Sequence, residues 1–168
     1  MPILFRLKQF RNPVFVETGL YRGHGVQQAL KAGFKQIYSI ETHRHYVRRA
    51  RRRFRQFVKA GRVQLIAGQS DIELPRLLET ITERCTFWLD AHGGGHSPLI
   101  AELEAILAHP RDDHTILIDD VRKFASWGVD AAQVEALLLQ INPDYDLSFC
   151  RGWQGRPDVR AAVLKETE

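Results

Sequence analysis

The chain has 168 residues, of which 44% are hydrophobic and 26% charged, and a formal net charge of +4. This length suits one domain with a sizeable core, and the composition is globular rather than disordered or fibrous. No apolar run approaches the roughly 20 residues of a membrane span, and residues 1–8 are too short and too charged for a signal peptide, so a cytoplasmic protein with no membrane partner is expected.

In chain order, strand and helix patterns alternate. A strand is predicted over 14–17 and a helix over 25–32 closed by Gly33. A second strand covers 36–41, and a basic helix covers 43–59, stopped at Gly61. Residues 62–67 read as a strand, 71–82 as a helix and 86–90 as a strand. Ser97 as N-cap and Pro98 at the first helical position open a helix running to His109. A strand over 114–119, a helix over 130–141 and two last strands near 146–150 and 159–164 complete the pattern. The early apolar runs, Val14-Phe-Val, Phe87-Trp-Leu and Ile116-Leu-Ile, are continuous rather than alternating, as in a parallel sheet covered on both faces. The short Gly/Pro-rich link 151–157 has no room for a crossover helix, so the last two strands form an antiparallel hairpin. Cys85 and Cys150 fall in apolar strand-like runs and read as buried reduced thiols; zinc-type spacings are absent.

The positive charge is concentrated. Arg44, Arg48, Arg49, Arg51, Arg52, Arg53, Arg55, Lys59 and Arg62 fall between Thr42 and Ser70 with no acid among them. Tyr46, Ala50, Phe54 and Phe57 recur at helical spacing and are the predicted buried stripe. The cations suit the solvated face of that helix, or a patch for nucleic acid or another anionic surface.

Ligands of a parallel sheet sit at the carboxyl ends of its strands. Those ends carry Glu17, Glu41, Gly68-Gln69-Ser70, Asp90 and Asp119-Asp120. A dinucleotide fingerprint would begin at the first strand end as G-x-G-x-x-G; here the order is Glu17-Thr-Gly19-x-x-x-Gly23-x-Gly25, and no P-loop lysine follows. An acid closing the strand, then Gly-x-x-x-Gly, resembles the first motif of class I S-adenosylmethionine-dependent methyltransferases, and the resemblance extends over nearly the whole chain. It implies an α/β, three-layer Rossmann-like sandwich: one methyltransferase-like domain over 1–168, with a seven-stranded, mostly parallel sheet ending in an antiparallel hairpin.

On matching positions, the resemblance implies that Glu17 orients the methionine amino group directly or through water. Gly19, Tyr21 and Gly23 pass close to S-adenosylmethionine, with Tyr21 standing where the family has glycine. Glu41 would hold the ribose hydroxyls. Gln69 and Ser70 would meet adenine, glutamine replacing a common aspartate, and Asp90 would lie beside the transferable methyl. Asp90, Asp119 and Asp120 resemble the divalent-metal site of catechol-type O-methyltransferases, where Mg or Mn lowers the pKa of an acceptor hydroxyl; without a metal, the aspartates would cap loops and place water.

His92 and His96 flank a triple glycine. His92, nearest Asp90, is the candidate general base with Asp90 as the other catalytic group; a metal ligand or a surface loop histidine are the alternatives. His24, His43, His45, His109 and His114 are expected at the surface. Arg122, Phe124, Trp127, Trp153 and Arg156 would line an acceptor pocket or pack their loops. That pocket would be open, or completed by a second subunit in a homodimer. The expected function is a transferase: O-methylation of a small-molecule or sugar-like acceptor. Its rivals are an RNA-binding or RNA-methylating protein that uses the arginine-rich helix, and a non-catalytic cofactor-binding protein. A nicotinamide oxidoreductase is disfavoured by the glycine spacing.

Overall fold

The computed structural model describes residues 3–92, 97–152 and 156–165. Seven strands form one sheet in the order β3-β2-β1-β4-β5-β7-β6. The strands β1 (Val14–Thr18), β2 (Gln36–Glu41), β3 (Val63–Ala67), β4 (Cys85–Leu89) and β5 (Thr115–Ile118) pair in parallel. β7 (Pro157–Leu164) runs antiparallel between β5 and β6 (Tyr145–Arg151), as the missing crossover helix requires.

Alternation along each strand feeds two cores. Val14, Val16, Phe87, Leu89, Ile116 and Ile118 face α4 (Ser70–Leu78), α5 (Leu99–Leu107) and α6 (Ala131–Ile141). Phe15, Ile37, Trp88 and Leu117 face α1 (His24–Ala32) and α2 (Arg44–Arg53). The short α3 (Arg55–Lys59) follows α2. Each fully buried side chain of this size stabilises the fold by roughly 1.5–3 kcal/mol. An N-terminal 3-10 helix, Ile3–Phe10, adds buried Leu7 to the second core. Among the described residues no helix is long and apolar enough to cross a membrane.

Local packing moves several expected boundaries. The helix expected over 43–59 breaks at Phe54, whose ring is buried against the bare Cα of Gly23. Val47, Ala50 and Phe54 form its buried stripe, whereas Tyr46 turns to the strand tips. The helix expected over 71–82 ends at Leu78, where the Thr80 hydroxyl donates to the Leu77 carbonyl. Pro98, not Ser97, occupies the N-cap of α5, with the Ser97 hydroxyl accepting from the Leu99 amide at 3.4 Å. That helix stops at Leu107, because His109 precedes Pro110 and a residue before proline avoids helical backbone.

β1 lies between β2 and β4, so the chain leaves the tips of β1 and β4 in opposite directions. This reversal opens a crevice above the carboxyl ends of the central strands.

Candidate cofactor and acceptor site

A cavity of about 690 Å3 occupies that crevice, a size suited to a nucleoside-bearing ligand. Its wall brings together Gly19 and Tyr21 beyond β1, Glu41 at the end of β2, Gln69 and Ser70 beyond β3, and Asp90 and His92 beyond β4. Gly19 has φ +87°, and a Cβ there would overlap the Asp90 carbonyl oxygen, so the β1 turn presses directly on the β4 tip. Tyr21 also adopts left-handed backbone, with φ 43°.

Glu41 ties the wall together. Its Oε2 accepts from the Tyr21 amide at 2.8 Å, and its Oε1 accepts from the His43 amide at 2.8 Å and the Thr42 hydroxyl at 3.3 Å. A carboxylate offers about four acceptor positions, and with three of them taken one remains, on Oε2, for a ligand hydroxyl. Tyr21 and Tyr46 meet edge to face above it, ring centroids 5.0 Å apart. His43, expected at the surface, is exposed yet lines the cavity.

Two expected cofactor residues do not reach the wall. Glu17 is buried beneath it, accepting from the Ser39 hydroxyl at 2.6 Å and packed against the bare Cα of Gly25. Burial pushes its carboxyl up to about 8. Gly23 is taken up by the Phe54 contact.

The expected acceptor side holds a dense ionic group. His92 Nε2 lies 2.9 Å from Asp90 Oδ1 and 3.1 Å from Asp120 Oδ2, in neither case aligned for a hydrogen bond. Burial lowers the imidazole's pKa, but Asp90 and Asp120 outweigh it and leave the pKa above the ordinary 6.5. Trp127 stacks on the ring with centroids 4.2 Å apart. Asp120 also takes Lys123 Nζ at 2.6 Å and Arg122 at 2.8 Å. Arg122 reaches Asp158 as well, so it is no free receptor for an anionic substrate. The Asp119 Oδ1 accepts from the Asp120 amide at 2.8 Å; burial, then the neighbouring Asp90, pushes its carboxyl up to about 7.

Asp90, His92 and Asp120 place ligand atoms within 4.8 Å of one another, as do Asp119, Asp120 and Asp158. His92 Nε2, buried and without an aligned partner, fits a divalent ion beside these carboxylates. A mixed nitrogen and oxygen set suits Mn, Fe or Zn better than Mg.

Phe124 is buried in the core, and the segment expected as a loop over 122–128 is largely a 3-10 helix, Val121–Trp127. His96 and Trp153 lie outside the described residues, and Arg156 is exposed. Of the basic segment, Arg51 donates to the Leu65 carbonyl, Arg53 to the Arg22 carbonyl and Arg62 to the Phe34 carbonyl. These guanidiniums serve the fold.

Sequence reasoning missed Glu102, only 1% exposed and next to the Ser70 and Asp90 wall. Its position was the signal: it lies three residues after Leu99 and four before Ile106, on the apolar stripe of α5. It also misplaced two histidines. His114 is fully buried and His109 nearly so, at the amino end of the strands, because their ring nitrogens find partners there. Buried Asp158, the partner of Arg122, gave no signal, because it fell just before the strand expected near 159–164, whereas β7 begins at Pro157.

No protein-family model and no curated protein sequence matches the chain. Solved structures do. The SAH-bound Podospora anserina methyltransferase PaMTH1 matches with a TM-score of 0.65 at 17% identity, over 98% of this chain and 76% of that one. The O-methyltransferase from Bacillus cereus in complex with SAH matches with a TM-score of 0.69 at 15% identity, over 97% and 79%. The O-methyltransferase TomG from Streptomyces achromogenes, involved in tomaymycin synthesis and in complex with SAM, matches with a TM-score of 0.66 at 12% identity, over 98% and 78%. The chain therefore has the Rossmann-like fold of class I S-adenosylmethionine-dependent methyltransferases.

Proposed function

We propose that this chain is a single-domain S-adenosylmethionine-dependent methyltransferase that methylates an oxygen of a small-molecule or sugar-like acceptor. The observation that carries this reading is the convergence of Glu41, Gln69, Ser70, Asp90 and His92 on one cavity at the switch point of the sheet. The solved structures of like fold include O-methyltransferases with SAM or SAH bound.

S-adenosylmethionine would supply an electrophilic methyl group. Glu41 accepts from a ribose hydroxyl, Gln69 and Ser70 meet adenine, and Asp90 borders the transfer point. Glu17, buried beneath the wall, reaches the amino group through water. His92 would take the proton of the acceptor hydroxyl, and Asp90 and Asp120 would stabilise the imidazolium that forms. The acceptor oxygen would displace the sulfonium sulfur from the methyl carbon, with S-adenosylhomocysteine as the leaving group. These residues contribute mainly orientation and electrostatics. A divalent ion held by Asp90, His92 and Asp120, or by Asp90, Asp119 and Asp120, would lower the acceptor's pKa; His92 would then be a ligand rather than a base. The free thiols of Cys85 and Cys150 suit a reducing cytoplasm.

The test is transfer of label from methyl-labelled S-adenosylmethionine to a panel of sugars, phenols and catechols, with EDTA, Mg or Mn. Labelled methyl ether in any arm supports the reading, and the metal arms decide the role of His92. No transfer to any acceptor, with no affinity for S-adenosylhomocysteine, would contradict it.

A further inference from the structure

Beneath the cavity floor lies a buried acid to which the mechanism above gives no part. Glu102 sits on the first turn of α5, with Glu102 Oε1 and Ser70 Oγ both buried and without a hydrogen-bond partner among the described residues. Buried polar atoms without an aligned partner are expected to be completed by water or ligand. Glu102 also lines a cleft of about 10 Å3, close to the volume of one water, whose other walls include His92, Asp119 and Trp127.

The neighbours of this carboxyl tie it to the site. The hydroxyls of Ser70 and Thr18 face it and favour its charge, while burial pushes it up to about 7. Ser70 opens α4 and lines the cavity. Thr18 ends β1, and both its hydroxyl and its carbonyl oxygen lie within reach of the Asp90 amide, at 3.3 and 3.1 Å. One carboxyl on α5 therefore stands behind the tips of β1 and β4 and the start of α4.

We propose that Glu102 is a positioning residue for the cofactor: with one ordered water in the adjoining cleft it orients the Ser70 and Thr18 hydroxyls, and through them Ser70 on the adenine side and the Asp90 loop on the methyl side. The proposal rests on the methyltransferase reading above. It explains why a helix that otherwise packs Leu99, Leu103 and Ile106 into the core keeps a carboxyl on the same stripe. An apolar residue there would pack without leaving an orphaned oxygen and would be expected to stabilise the fold.

The test compares wild type, Glu102→Gln and Glu102→Leu by calorimetry with S-adenosylhomocysteine and by thermal unfolding. Glutamine still accepts a hydroxyl; leucine fills the space and accepts none. The expected result is affinity within threefold of wild type for Glu102→Gln. Glu102→Leu should bind at least tenfold more weakly while unfolding at or above the wild-type temperature. A purely structural role would instead lower the unfolding temperature and leave affinity alone, and equal affinity in Glu102→Leu overturns the proposal. If Glu102→Leu does not fold, Thr18→Val is read in its place; it removes the intervening hydroxyl at constant volume, and unchanged affinity there overturns the proposal equally. No binding by wild type would overturn the cofactor reading and this proposal with it, whereas wild-type binding with unchanged variants overturns this proposal alone.

Discussion

At the amino end of β4 and β5, His114 Nδ1 accepts from the Cys85 amide at 3.1 Å and its Nε2 meets His109 Nδ1 at 3.1 Å. His109 Nε2 meets the Ile81 carbonyl at 2.9 Å, and Asn12 donates to the Cys85 carbonyl and the Thr86 and Thr115 hydroxyls. At the carboxyl end of the same strands, His92 Nε2, Ser70 Oγ and Glu102 Oε1 are buried yet lack aligned partners, and Glu17, Glu102 and Asp119 carry raised pKa values. The amino end pairs both of its buried histidines, leaving Arg84 Nε as its one such orphan among the described residues, and so contributes mainly stability. The other keeps acceptors open, as a ligand site requires. Burial of a histidine or a carboxylate therefore says little about function; whether its partners are complete says much more.

The largest expected effect is at the open end. His92→Ala should lower turnover on oxygen acceptors by about 10²-fold or more, the usual range for a lost general base, with affinity for S-adenosylhomocysteine within threefold of wild type. Equal turnover would move His92 from the chemistry to the loop packing under Trp127.

The two ends should also respond oppositely to pH. Burial, then the neighbouring His109, lowers the His114 pKa to about 4. Between pH 6.5 and 4 the unfolded chain takes up a proton that the native chain cannot, so native stability falls with pH over that window by up to about 3 kcal/mol. Glu17, raised to about 8, works the other way. Above pH 4.5 the unfolded chain ionises it first, so its contribution to native stability declines as pH rises toward 8. Denaturant melts of wild type, His114→Phe and Glu17→Gln across pH 4.5–8 separate the two, because their contributions oppose each other between pH 4.5 and 6.5. His114→Phe should lose stability more steeply than wild type as pH rises through that window, and Glu17→Gln less steeply than wild type from pH 4.5 to 8. Parallel curves for all three would break the comparison.

Glu41→Ala tests a different part of the open end. Loss of a charge-assisted hydrogen bond of about 1.5–3 kcal/mol corresponds to on the order of ten- to a hundredfold weaker binding of S-adenosylhomocysteine by calorimetry. Unchanged affinity would remove Glu41 from the ribose.

The smallest effect belongs to neither end. Arg48 on α2 is exposed, with Arg44, Arg51 and Arg52 at helical spacing and no acid in the segment. Arg48→Glu should raise stability by about 0.2–0.5 kcal/mol per new pair and leave cofactor affinity untouched. A loss of affinity would tie the basic face to the site.

Much of this was legible before the structure. Continuous apolar runs announced buried parallel strands, the short link 151–157 announced the hairpin, and acids at successive strand ends announced the edge that carries the cavity. Glu41, Gln69, Ser70 and Asp90 come together because strand tips in a parallel sheet share one edge, a consequence of topology that spacing alone conveys. Glu102 escaped because it lies on a helix whose apolar stripe hid it. His109 and His114 escaped because their burial depends on each other and on the Cys85 amide, partners remote in sequence. The break at Phe54 escaped because it follows from a ring seated on Gly23 across two elements. Long-range pairing of this kind leaves no periodicity to read.

The most direct test of the central claim, that the strand-tip cavity holds S-adenosylmethionine, is titration calorimetry of the EDTA-treated protein with S-adenosylhomocysteine beside NAD. One site per chain for S-adenosylhomocysteine and no heat with NAD is the predicted result. A folded sample that binds neither, or that binds NAD as well as the nucleoside, would contradict the assignment of Glu41 and the cavity around it.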